Sequence, residues 1–163
     1  MISYPLVKVD FSALKANQGM IFLLNLLALV LNFPALSALV ALIAGMGYVF
    51  EVLGFLPFYQ FLWLPLGLLK PDVLEDHLEP HRFAQLVGFY LMMAGSVAHY
   101  LGLPLLGWSL IGIVVLFSGI SVFGGYCVGC AVYYALAQAR IPGFTKRPHA
   151  GTRPGRKRSF DKF

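Results

Sequence analysis

Apolar residues dominate four stretches of this chain, each near the length of a bilayer crossing and each bounded by turn-forming or polar residues. The first runs from near Ser12, after Asp10, to Leu31; about 20 residues rising 1.5 Å each reach across roughly 30 Å. Asn32-Phe33-Pro34 makes a tight uncharged turn into a second stretch, from Ala35 to about Phe50, with Glu51 at its end. The third is predicted over Phe83 to Tyr100 and the fourth from about Leu105 to Phe123, joined by Leu101-Gly102-Leu103-Pro104. Hydrocarbon offers no partner for backbone polar groups, so all four should be helices.

Two segments break this pattern. Pro57 to Leu69 is apolar and aromatic but too short to span, and Pro57, Pro65 and Gly67 interrupt it, which predicts an interfacial or re-entrant element. Lys70 to Arg82 then turns polar, with Asp72, Glu75, Asp76, His77, Glu79 and His81 between the turn markers Pro71 and Pro80. The apolar run from Leu103 to Ala137 would measure about 50 Å as one helix, so it must tilt, bend or leave the membrane. Gly124-Gly125 is the natural hinge, which places a shorter helix over Tyr126 to about Arg140. The fold class is therefore all-α: a polytopic membrane protein of four transmembrane helices, an interfacial segment and a short C-terminal cysteine-bearing helix. Residues 1–145 form the single transmembrane domain, and 146–163 a disordered basic cytoplasmic tail.

Composition agrees. The 163 residues are 59% hydrophobic and 12% charged, and a mean hydropathy of +0.77 lies outside the usual range of soluble domains. Lys8 precedes the first apolar stretch and Lys15 lies in its first turn, but no small-x-small cleavage pattern follows, so it reads as a retained span. The net charge of +5 is concentrated in the tail, where Lys146 to Phe163 carries seven basic residues and one acid. The positive-inside rule then puts both termini, Lys8, Lys15 and the central loop on the cytoplasmic side of a bacterial cytoplasmic membrane. Arg156-Lys157-Arg158, among prolines and glycines, suits attraction to anionic lipid. It lacks the interleaved aromatics of a nucleic-acid segment, so no nucleic-acid partner is expected.

The chemistry lies in Cys127-Val128-Gly129-Cys130, which contains the only two cysteines. At the start of a helix, unpaired amides and the positive end of the dipole favour thiolate. Such a pair supports thiol–disulfide or sulfur-relay exchange with a soluble thiol protein or a small sulfur compound, Cys127 attacking and Cys130 resolving. Two other readings stay open. The cysteines could be small apolar fillers in a non-enzymatic membrane subunit or transport component. With His77 and His81 they could instead form a two-cysteine, two-histidine zinc set, although Pro80 is expected to spoil a helical presentation of the histidines. No other cofactor is predicted. Phosphate loops, serine elbows, metalloprotease helices and dinucleotide fingerprints are absent from the sequence, which removes hydrolase and kinase readings.

Gln18, Asn25 and Asn32 recur every seven residues and share one face of the first helix. Asn25 falls deep in the bilayer, as packing glue or as the lining of a polar path. Arg82 is expected to anchor a helix end at the headgroups. Gly45, Gly47, Gly95, Ala98, Gly112 and Gly119 permit close helix contacts, within the bundle or across a homo-oligomer.

Val9-Asp10 with Asn17-Gln18, His81-Arg82-Phe83-Ala84-Gln85 with Gly88, and Gly125-Tyr126-Cys127-Val128-Gly129-Cys130 with Tyr133 form a recurring set. On these residues the chain resembles an uncharacterised bacterial integral-membrane family, domain of unknown function 4395, over nearly its whole length except the tail. The Gly-x-Cys-x-Gly-Cys ending is the most specific part. The resemblance implies a four-helix membrane protein with a dithiol motif and brings no activity with it. In that family a basic residue often stands where this chain has Glu51, so no role for Glu51 is carried over.

Overall fold

Asp10 sets the start of the first helix. In the computed structural model, which describes residues 7–50, 52, 54–63, 65, 67, 72–144 and 155, its carboxylate accepts from the amides of Ser12 (2.9 Å) and Ala13 (3.4 Å) ahead of α1, Phe11–Val30. That satisfies two of the amides a helix leaves unpaired. Helices α2 (Pro34–Val49) and α5 (Pro104–Gly124) each open on a proline, which has no amide hydrogen to leave unpaired there. The segment between α2 and the third long helix holds one helical turn, α3 (Leu56–Phe58), running into a π-helical turn at Tyr59–Trp63. Then come α4 (Leu78–Tyr100) and α6 (Val128–Gln138).

The long helices run up, down, up and down. Their neighbours in space follow the ring α1, α2, α4, α5, and α6 lies chiefly against α4. The central apolar core joins Ile21, Val40, Ala41, Ala44, Met92 and Val114. Backbones approach closely where α4 meets α5: a Cβ on Gly95 would lie 2.9 Å from the carbonyl oxygen of Gly107.

The sequence reading changes in three places. Helix α4 begins at Leu78 rather than Phe83, because Pro80 occupies its first turn, where a missing amide hydrogen breaks no helical bond. The purely helical class gains a small antiparallel ribbon, β1 (Val7–Asp10) with β2 (Val73–Asp76), pairing Val7 with Asp76 and Asp10 with Val73. Isolated four-residue strands carry too little alternation to be read without their partner. Finally, among the described residues two helices, Phe11–Val30 and Pro104–Gly124, are long and apolar enough to cross a membrane, while α2 and α6 are apolar but shorter.

The protein is thus mostly helical, and the ribbon, the α3 segment and α6 gather at one end of the bundle. Glu51, Lys70 and the tail, Gly155 apart, lie outside the described residues.

Candidate functional site

Gly125, at φ 60°, ends α5 in the left-handed conformation and turns the chain back towards the bundle. Cys127 then caps α6, its sulfur 3.3 Å from the amide of Cys130. The two cysteines are joined as a disulfide, with Cα atoms 5.3 Å apart. Cys130 is buried, whereas Cys127 is partly exposed. The amide of Cys127 donates to the carbonyl of Gly155 (2.8 Å), the one described residue of the tail.

Gly129 decides what the sulfurs face. A Cβ there would lie 2.5 Å from the Cβ and 2.8 Å from the Cα of Ala84, so only glycine lets α6 lie this close to α4. The approach brings Cys130 Sγ to 3.4 Å from Nδ1 of His81, in the first turns of α4. On the other side of the ring, Nε2 lies 3.2 Å from Oδ2 of Asp76, the last residue of β2. An Nε2–H donated to Asp76 leaves the Nδ1 lone pair facing the sulfur. Asp76 also accepts from the amide of His77 (2.8 Å), which fixes the carboxylate at the strand-to-helix junction.

Aromatic residues close the remaining side. Cys130, Tyr133 and Tyr134 form a buried cluster with Phe83 and Phe144 packed on it. The Tyr133 hydroxyl donates to Glu79 (3.0 Å). Burial, then the negative charge of Asp76 and the neighbouring Tyr133, raise the Tyr134 hydroxyl above its ordinary pKa.

The arrangement brings together Cys127, Cys130 and His81 of the residues singled out in the sequence. Ligand-type atoms of these three all lie within 4.8 Å of one another, and His77 is not in the group. Pro80, placed in the first turn of α4, does not keep His81 from the sulfurs. Asp76 is legible in the sequence only as one loop acid among several, five residues before His81. Arg82 turns back onto α2, donating to the carbonyl of Tyr48 (3.3 Å) with its guanidinium 5.0 Å from that ring's centre.

The polar face of α1 splits up. Asn25 is fully buried: its amide donates to Ile21 O (2.8 Å) and contacts Met92 Sδ (3.2 Å), and its oxygen accepts from Ser37 (2.6 Å). Asn32 lies in the exposed α1–α2 turn and accepts from Trp108 (3.0 Å), and Gln18 is half-buried.

The sequence profile of the family described as domain of unknown function 4395 matches residues 9–138, and the chain belongs to that family. Comparison with curated proteins and with solved structures found no match.

Proposed function

We propose that this member of the domain-of-unknown-function 4395 family is a four-span protein of the bacterial cytoplasmic membrane that performs thiol–disulfide exchange through Cys127 and Cys130. The observation that carries the chemistry is the contact of Cys130 with His81, itself held by Asp76. The membrane reading is supported by an inverted surface: Leu23, Val30, Leu42, Val49, Leu116 and Phe123 are exposed, whereas Asn25, Ser37, Ser96 and Ser118 are buried. Lipid tolerates the first set, and hydrogen bonds inside the bundle satisfy the second, between helices for Asn25, Ser37 and Ser96 and within α5 for Ser118. The positive-inside rule assigns the sulfur-bearing end to the cytoplasm.

In this reading a thiolate of a soluble thiol protein or small sulfur compound attacks Sγ of the more exposed Cys127. The Cys127–Cys130 bond breaks, and Cys130 leaves as a thiolate that takes a proton from His81, whose ring Asp76 orients. A second external thiolate attacks the partner's sulfur in the mixed disulfide and releases Cys127. The protein pair gains two electrons and the two external thiols become a disulfide. In reverse, His81 Nδ1 takes the Cys130 proton as that sulfur resolves the mixed disulfide.

Trapping tests this. Cys130→Ala should accumulate a reductant-sensitive adduct on Cys127 in membranes, and Cys127→Ala should accumulate far less. A wild-type pair that never changes redox state in graded thiol buffers, together with no trapped adduct, would overturn the reading.

A second reading is favoured by the same cluster. With the disulfide reduced, Cys127, Cys130 and His81 offer three ligands suited to zinc, and Asp76 on the far imidazole nitrogen is the usual support of a ligating histidine. Stoichiometric zinc in protein purified under reduction, lost on Cys127→Ser, would select it.

A further inference from the structure

Cys127 meets a second segment of the chain through its backbone. Extended at φ −83° and ψ 102°, it donates its amide to the carbonyl of Gly155 (2.8 Å), and Tyr126 just before it forms a single β-bridge. The two residues ahead of α6 therefore act as a short strand edge, which pairs main chain to main chain. The seat on that edge admits backbone alone. A Cβ on Gly155 would lie 2.7 Å from the carbonyl oxygen of Cys127 and 3.1 Å from both Ala131 Cβ and Tyr126 Cε2, and its φ of 80° suits glycine.

We propose that this seat is the docking position for the thiol-bearing segment of a partner protein, an extended peptide with a glycine in place of Gly155, and that Gly155 occupies it in cis until the partner displaces it. What the docked partner does rests on the thiol-exchange reading; that it docks does not. The occupant follows from what sits there already. A main-chain carbonyl on the Cys127 amide, with no room for a side chain, suits polypeptide and offers nothing to the charged or apolar group of a small molecule. The seat adjoins the more exposed of the two sulfurs, so a docked segment holds its thiol at Cys127. A small thiol has no backbone to dock, and Cys127 is partly exposed beside Gly155, so the tail obstructs peptides and not small thiols.

The test follows reduction of the disulfide in the full chain, held in lipid nanodiscs, by three thiols: capped Gly-Gly-Cys-Gly-Gly, capped Ala-Ala-Cys-Ala-Ala and mercaptoethanol. Gly155→Val should empty the seat, because its Cβ meets the Cys127 carbonyl. Reduction by the glycine peptide should then rise about fivefold, the change that one net hydrogen bond carries, while the rates with the alanine peptide and mercaptoethanol stay near wild type. A cysteine-free peptide of residues 150–160 of this chain, added to the Gly155→Val variant, should slow the glycine peptide again, and the same peptide carrying Gly155→Val should not. Equal acceleration of all three thiols by Gly155→Val, or no acceleration of any, would overturn the proposal. So would equal inhibition by the two added peptides. Failure of the exchange reading looks different: the seat would still discriminate the peptides in nanodiscs while Cys130→Ala trapped no adduct in membranes.

Discussion

Cys130 Sγ lies 3.4 Å from Nδ1 of His81, although 49 positions separate them in the chain. The pairing gives one of two chemically identical cysteines a proton carrier, and it is the buried one. In the proposed exchange that asymmetry divides the roles: the partly exposed Cys127 is the one attacked, and Cys130 is the sulfur whose departure His81 assists.

His81→Gln should slow reduction of the disulfide by a small thiol about 100-fold at neutral pH, the lower range of general acid–base assistance. Asp76→Asn should slow it less, about tenfold, because the imidazole remains but loses the carboxylate that orients it. Stopped-flow reduction followed by thiol quantification measures both. Unchanged rates in both variants would remove the proton relay.

Gly129→Ala should destabilise the protein by about 1–3 kcal/mol, since the new methyl meets Cα and Cβ of Ala84, atoms fixed to the backbone. It should also slow disulfide exchange by prising Cys130 from His81. Gly88→Ala is the control: nothing lies within 4 Å of its Cβ position, so helix propensity should leave it neutral or slightly stabilising. Denaturation in mixed micelles compares the two.

Asn25→Ala leaves the Ser37 hydroxyl without its acceptor inside the bundle and should cost about 1–2 kcal/mol. Asn25→Leu should also destabilise, because Asn25 is fully buried and a branched side chain must displace Met92. If either variant unfolds at the wild-type denaturant midpoint, Asn25 is not packing glue.

The Tyr59 hydroxyl is pushed up to about 12, first by burial and then by its hydrogen bond to, and the charge of, Asp10. The folded value exceeds the ordinary 10.0, so the protonated form is favoured by folding. The resulting stability is complete below about pH 10 and is lost as pH rises towards 12. A phenolate absorbance titration should show, besides the late transition of Tyr134, one near pH 12 that disappears in Tyr59→Phe, and the melting temperature of that variant should fall less steeply over this window. A Tyr59 that ionises near 10 would break the link to Asp10.

Local chemistry made much of this protein legible. Apolar runs bounded by Asp10, Pro34 and Pro104 place α1, α2 and α5 to within a residue or two, because caps and prolines act on their own neighbours. The hinge at Gly124-Gly125 and the short helix behind it follow from the length of the apolar run and from glycine's tolerance of positive φ. The sequence also marks the cysteine pair and even includes His81 among the metal candidates. The partners of those residues depend on contacts far apart in the chain. Only the packing of α6 on α4, allowed by Gly129 against Ala84, selects His81 over His77. Only the pairing of β1 with β2 carries Asp76 to the far side of that imidazole. Spacing along the chain determines what can cap, turn or span, while sulfur, imidazole and carboxylate meet through contacts that no local pattern encodes.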